Sequence, residues 1–439
     1  MLELLPGFRD FYPADCALRN ALFKKWRGVA SCFNFSEFDC PILEPLELFT
    51  EKSGEEIVQQ LFAFEDRGGR KVAMRPETTP SLVRLIGARA PSLKKPIKWF
   101  NITENFRYER PQKGRLRSFY QFNVDIIGEK SIFAEAELIA LAVESFKAFG
   151  LTRQHFYVRL SDRQLWMLWL ECFGVEQEAT KIALLSLFDK WERRPQEEIE
   201  KDLAHSLPAH VDAKSFFEKT VQLRQAQSLE AVRTCFSDFD PNVLSRVESR
   251  LSDWQALLDE LSTLQCGEFI KIDLGIVRGL AYYTGFVFEV FDAGLEGRAL
   301  AGGGRYDQLF EKLSGHSLAA VGFAAGDVTL TELLRKNNLL PNCEQTLKFF
   351  VVCEEGTRRE ALQDACLLRE RGASVAYVFG AGQVCSVSKQ LKKAFESNPE
   401  YILFYGSNEL QHNQVQVRRV GSNELNLVNR DQLIQEFCQ

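Results

Sequence analysis

The chain is 439 residues long, with 45% hydrophobic residues, 26% charged residues and a formal net charge of −6. That length calls for two to four domains of the usual ~100–200 residues, and the balance is that of an ordinary water-soluble globular protein. No stretch approaches the ~18 uninterrupted apolar residues of a membrane span, and eleven scattered cysteines without a C-x-x-C pair fit neither a disulfide framework nor a zinc site, so reduced core thiols are expected.

The opening Met-Leu-Glu-Leu-Leu-Pro-Gly carries no basic-then-apolar leader, which points to the cytoplasm. Leu18, Leu22, Trp26, Val29 and Phe33 recur at helical spacing, and Phe35 to Leu43 then reads as an extended edge running through Pro41. Asp66-Arg-Gly-Gly-Arg70 is a turn between two short strands, after which Thr78-Thr-Pro opens a helix through Leu82 and Leu85. Residues 106–125 read as two strands joined by a basic loop, and between Lys94 and Arg117 eight Lys and Arg stand against two Glu. Such local positive charge in an acidic chain suits a polyanion. Ile132 to Phe149 is an amphipathic helix with an acidic outer face, and Phe156 to Leu160 is a strand.

Helical periods dominate from Arg163 to about Leu264, and strand signals resume at Phe269–Asp273 and Phe286–Phe291 before Gly302-Gly-Gly304 leads into a helix near Leu309. Asn337 to Glu344 is a short polar linker, followed by alternating strands and helices. The expected fold class is therefore α+β. An antiparallel unit over residues 1–160 is interrupted by a helical insertion over 161–264 and completed over 265–336; a linker over 337–345 then leads to a separate α/β domain over 346–439.

Several constellations could carry chemistry. Arg107 and Glu109, two apart on a strand, share one face, as do Gln121, Asn123 and Asp125 on the partner strand. Alternation of this kind makes either a solvated face or the floor of a pocket. The basic loop Arg110-Pro-Gln-Lys-Gly-Arg-Leu-Arg117 favours a phosphate-facing hairpin, because guanidinium forks bind phosphate oxygens bidentately and Phe119 can stack on a purine. Arg278 precedes Tyr282-Tyr283, and Gly302-Gly-Gly304-Arg305-Tyr306-Asp307 is either a flexible turn or a close approach of backbone to ligand. Glu77 sits where it can meet a ligand ammonium or cap a helix. No P-loop and no G-x-G-x-x-G after a strand occurs, and five dispersed histidines offer no metal spacing, so phosphate chemistry must rest on arginine.

With these residues assembled, the chain resembles the histidyl-tRNA synthetases, a family of class II aminoacyl-tRNA synthetases, along essentially its whole length. Phe106-Arg-Tyr-Glu109 with its loop and Phe119-Tyr-Gln121 look like class II motif 2, and the strand before Pro41 looks like the dimer-forming motif 1. Arg278-Gly-Leu-Ala-Tyr-Tyr-Thr-Gly285 and Gly303-Gly-Arg-Tyr-Asp307 are similar to the two histidine-specific signatures. The resemblance implies a class II antiparallel sheet flanked by helices, a C-terminal α/β anticodon-binding domain, and ATP-dependent attachment of L-histidine to tRNA-His through histidyl-adenylate. It implies a homodimer, ATP arriving with Mg2+, no tightly bound cofactor, no protein-bound metal and no membrane partner.

The same resemblance assigns roles. Arg107 and Arg278 clamp the reacting carboxylate and α-phosphate. Glu77 and Thr79 hold the amino group, Gln121 the carboxylate region, and Asp125 with Tyr282 and Tyr283 the imidazole. Arg107, Glu109, Arg115, Phe119 and Arg305 face ATP. Three departures accompany it: Gly326-Asp-Val-Thr329 replaces the common Gly-x-Glu-Arg of motif 3, as in a plant-organelle-type branch; Asp125 replaces glutamate; and Ala281 replaces aspartate. Arg115, Arg117 or Arg305 is expected to compensate for the missing arginine. The rival expectations are a non-catalytic synthetase-like regulatory subunit of histidine biosynthesis and a tRNA-sensing module.

Overall fold

The computed structural model describes residues 2–50, 58–112, 114–278, 282–294, 299–343, 347–379, 385–422 and 424–437. These divide into two compact units, Met1–Asn342 and Cys343–Gln439.

The strands of the first unit are β1 (Ser36–Glu37), β2 (Leu43–Pro45), β3 (Phe62–Glu65), β4 (Lys71–Met74), β5 (Ile97–Phe106), β6 (Ser118–Ile127), β7 (Phe156–Asp162), β8 (Ile270–Ile272), β9 (Phe286–Asp292), β10 (Ala299–Arg305) and β11 (Ala320–Gly326). Eight of them form one sheet in the order β1-β5-β6-β11-β10-β9-β7-β8, and β2-β4-β3 form a smaller one. The large sheet is antiparallel except at its two margins, where β1 runs parallel to β5 and β8 parallel to β7. Its two-residue alternation sorts the side chains. Phe122 and Val124 of β6 turn toward the helices Pro13–Cys32 and Phe133–Lys147, where Trp26 stacks on Phe122 at 5.4 Å. Gln121, Asn123 and Asp125 turn to the other face.

The helices between Arg163 and Thr263 share a continuous core with this sheet: Trp166, Phe188, Trp254 and Leu257 belong to the same apolar cluster as Val158 and Phe288. The second unit has strands β12 (Phe349–Cys353), β13 (Val375–Tyr377), β14 (Tyr401–Tyr405), β15 (Gln414–Arg419) and β16 (Leu425–Asn429), in the order β13-β12-β14-β15-β16. β13 and β14 flank β12 in parallel, and an antiparallel hairpin closes the sheet. Its core of Phe349, Val351, Leu368, Leu403 and Tyr405 is its own.

Five local expectations change. Phe35 to Leu43 is not one strand, since only Ser36–Glu37 and Leu43–Pro45 are extended in ladders. β5 ends at Phe106, so Arg107 and Glu109 stand in the connecting loop, not on a strand. The glycine run is no turn: it is the middle of β10, buried between β9 and β11. The helix Phe133–Lys147 also turns one acid inward, because Glu135 has a buried arginine to meet. Ten cysteines are unpaired among the described residues, yet Cys32 and Cys366 are exposed, so not all are core thiols.

Candidate active site

Arg75 is buried and donates to the carbonyls of Cys40, at 2.6 Å, and Glu104, at 3.0 Å, while its own carbonyl accepts from Phe106 N–H. That anchorage fixes Pro76 and Glu77 against the end of β5. Arg107, just past the strand, donates from Nε to Pro76 O at 3.0 Å and lies over Phe119, 5.3 Å from the ring centroid.

Arg107, Glu109, Arg115, Phe119, Gln121 and Arg278 come together around one cleft of about 230 Å³, whose wall also includes residues 299–302 and Gly326 to Thr329. Arg278 reaches it across β10, with Nη1 donating to Phe288 O at 3.2 Å and standing 3.7 Å from Glu289. A Cβ on Gly302 would lie 1.5 Å from that same Nη1, which is why this strand can carry no side chain there. Gly322 does the same for Asp125, whose Oδ1 would be 1.9 Å from an added Cβ.

Two carboxylates are buried beside this cation pair. Glu77 accepts from the Tyr282 hydroxyl at 3.2 Å through one oxygen, while its other oxygen is buried without a partner. Desolvation raises its pKa, opposed by Arg107, by the Tyr282 hydrogen bond and by Arg278. Asp125 is pushed up to about 7 by burial, opposed by the Tyr306 hydroxyl at 2.5 Å, with Glu77 adding to the rise. Around these groups Tyr282 packs tilted against Tyr283 and edge to face against Tyr306, with centroids 5.0 and 5.9 Å apart. Thr79 is the first residue of the helix Thr79–Gly87, two positions after Glu77. Ala281 and its neighbours Gly279 and Leu280 lie outside the described residues.

Arg305 is not brought to this cleft. Its guanidinium is spent on Glu135, through Nε at 2.6 Å and also through Nη2, and on Glu129 O, Ser131 O and Asp307. The assignment of Arg305 to ATP, and to the place of the missing motif 3 arginine, is therefore corrected: the residue ties β10 to the helix Phe133–Lys147. Arg117 stacks on Tyr108 at 4.2 Å and gives Nε to Glu109 O. Of the three expected substitutes only Arg115 lines the cleft, paired with Glu109 at 3.2 Å.

The sequence reading missed Arg9 and Tyr306. Asp327, at the departed motif, accepts from Arg9 Nη2 at 2.8 Å and from Tyr120 N–H at 2.9 Å, so it pins the N-terminal segment to the start of β6. No periodicity announces that pairing across 318 positions. Tyr306 could have been found from its place between Arg305 and Asp307 in the glycine-led signature.

A mainly antiparallel sheet flanked by helices, joined in one chain to a second, smaller α/β unit, is the fold of a class II aminoacyl-tRNA synthetase. A family model described as Histidyl-tRNA synthetase matches residues 7–330, and one described as Anticodon binding domain matches residues 351–439. The chain belongs to the histidyl-tRNA synthetase family. It is 45% identical to a histidine–tRNA ligase of Opitutus terrae, over 98% of this chain and 97% of that one, and 36% identical to a chloroplastic/mitochondrial histidine–tRNA ligase of Arabidopsis thaliana, over 95% and 83%. Among solved structures, histidyl-tRNA synthetase from Nostoc shares the fold with a TM-score of 0.78 at 20% identity, covering 100% of this chain and 99% of the other. An ATP phosphoribosyltransferase regulatory subunit/histidyl-tRNA synthetase from Bacillus halodurans does so with 0.74 at 21%, covering 93% and 99%.

Proposed function

We infer that the protein is a histidine–tRNA ligase. It joins L-histidine to ATP as histidyl-adenylate, releases pyrophosphate, and transfers the histidyl group to tRNA-His. The observation that carries this reading is the meeting of Arg107 and Arg278, from stretches of chain 171 positions apart, at one cleft beside Glu77.

Adenylation needs two anions held together while negative charge grows on the α-phosphate. Positioned cations meet that need by electrostatics and proximity, without proton transfer. In this reading Arg107 and Arg278 hold the histidine carboxylate against the α-phosphate and stabilise the oxygens of the transition state. The unpartnered oxygen of Glu77 accepts from the substrate ammonium, with Thr79 beside it, and Gln121 meets the carboxylate end. Asp125, with Tyr282 and Tyr283, takes the imidazole. Phe119 covers the adenine, and Arg115, paired with Glu109, meets the β- and γ-phosphates, in the role the motif 3 arginine leaves open. Mg2+ accompanies ATP as counter-ion of the triphosphate; the described residues contain no cluster of three or more acidic, His or Cys side chains to hold a metal alone.

A homodimer is part of the proposal, supported by exposed Ile42 and Leu43 beside Pro41. So is a cytoplasmic location; none of the described helices is long and apolar enough to cross a membrane. The regulatory-subunit reading is supported by the name of the Bacillus halodurans neighbour, but it predicts no turnover. Histidine-dependent ATP–pyrophosphate exchange and charging of tRNA-His decide between them. Exchange and charging together sustain the ligase, and tRNA binding with neither reaction would remove it.

A further inference from the structure

Asp162 and Arg163, at the junction of β7 with the helix Arg163–Cys172, face two ways. Asp162 is fully buried and caps that helix through Gln164 N–H at 2.8 Å. It also accepts from Arg250 Nε at 2.6 Å and Trp254 Nε1 at 2.9 Å, both on the helix Pro241–Thr263. Arg163 turns toward the segment that carries Arg278. Its backbone N–H donates to Gly285 O at 3.0 Å, and its buried guanidinium donates to the backbone carbonyl of Arg278 at 3.3 Å. One residue therefore holds both ends of the segment that carries Arg278, Tyr282 and Tyr283.

Arg278 is a residue that needs holding. Its φ is +54°, the left-handed region that a residue with a Cβ occupies only under strain. A donor fixed on its carbonyl holds the backbone of Arg278 in this conformation, and with it the direction in which the side chain leaves the backbone. That direction is critical, because the guanidinium must pass over Gly302, where there is no room for even a methyl group. Asp189, on the helix Glu178–Lys190, acts electrostatically on both guanidiniums, so a second helix of the same segment is tied to the arrangement.

We propose that Arg163 is a positioning residue for Arg278, and that through it the helical segment 163–263 controls the aim of that arginine into the adenylation cleft. The proposal rests on the reading of Arg278 as a group that stabilises the reacting phosphate. Loss of the Arg163 guanidinium frees the Arg278 carbonyl, lets the residue relax out of the left-handed region and withdraws its side chain from the transition state. Substrate binding through Arg107, Glu77 and Gln121 is left in place.

The test is histidine-dependent ATP–pyrophosphate exchange by the full chain, comparing wild type, Arg163→Met, Arg163→Lys, Arg278→Ala and the Arg163→Met/Arg278→Ala double variant. Methionine keeps the packed stem and removes the donors; kcat should fall ~10–100-fold while KM for ATP stays within ~3-fold. In the Arg278→Ala background the same change should cost less than ~2-fold, because the arginine to be aimed is gone. Should the methionine variant not fold, lysine carries the test: its shorter single donor should give ~3–10-fold lower kcat at unchanged KM. Wild-type kcat in either folded variant, or an equal loss with and without Arg278, overturns the proposal. Full exchange by Arg278→Ala itself would overturn the underlying role of Arg278 instead, and is read separately.

Discussion

Glu77 and Asp125 are both buried carboxylates with raised pKa values, yet their surroundings assign them different work. Glu77 lies in the field of Arg107 and Arg278, which draws it back toward the charged form that an ammonium group requires. Asp125 has only a tyrosine hydroxyl to offset burial and is pushed up to about 7. Below that pH it is largely a neutral acid; above it, an acceptor for an imidazole N–H. Histidine kcat/KM in pyrophosphate exchange should therefore rise about tenfold between pH 6 and pH 8, as the carboxyl ionises. Asp125→Asn should remove that rise and lower kcat/KM at pH 8 by ~100-fold or more, since a site built around a polar ring is left with the wrong partner. Stability moves the opposite way. A folded-state pKa above the unfolded value of ~3.9 means that the native state holds the extra proton, so the contribution of Asp125 is present at pH 4 and is lost as pH climbs through 7. Thermal melts should show Asp125→Asn more stable than wild type at pH 8, by at most roughly 4 kcal/mol, and indistinguishable at pH 4. A variant that melts lower at pH 8 would contradict the assigned burial cost.

At the scale of elements, the glycine-rich strand shows why part of the site was legible in the sequence and part was not. The periodic helices, the hairpin at Asp66–Arg70 and the basic loop before β6 could all be read, since each is a local pattern. For Gly302 to Gly304 the sequence leaves a turn and a close backbone approach equally open, because glycine serves both; β10 uses them to let Arg278 lie flat and to let β11 pack close. Once the segment is recognised as a strand, Gly302 and Arg305 are three apart and must point to opposite faces, which sends Arg305 away from ATP and toward Glu135. Two substitutions separate these roles. Gly302→Ala should leave the chain folded but displace the Arg278 guanidinium and reduce exchange by ~100-fold. Gly315→Ala, at the left-handed end of the helix Asp307–Ser314 where nothing lies within 4 Å, should cost ~1 kcal/mol of stability and leave activity intact. Arg305→Ala strands a buried carboxylate and should cost ~3–5 kcal/mol, read as a lower melting temperature. A change confined to KM for ATP would restore Arg305 to the nucleotide.

For the whole molecule, the division between Asn342 and Cys343 falls within the polar stretch that composition marks as a linker, and each side has a separate apolar core. Two cores mean that each unit has the means to fold without the other. All the side chains assigned to adenylation belong to the first unit, whereas the match to an anticodon-binding domain covers residues 351–439. Activation and tRNA charging should therefore separate. A chain ending at Asn342 should retain histidine-dependent exchange within ~3-fold and lose kcat/KM for tRNA-His charging by ~100-fold or more, because the contacts that select the tRNA are gone while the chemistry is untouched. Salt should divide the full-length protein in the same way. Charging depends on cations meeting a phosphate backbone and should fall steeply between ~50 and ~200 mM salt, whereas exchange, which uses arginines inside a cleft, should fall much less. Equal salt sensitivity of both reactions, or a truncated chain that charges tRNA at the full rate, would mean that the first unit alone recognises the tRNA and that the second has another purpose.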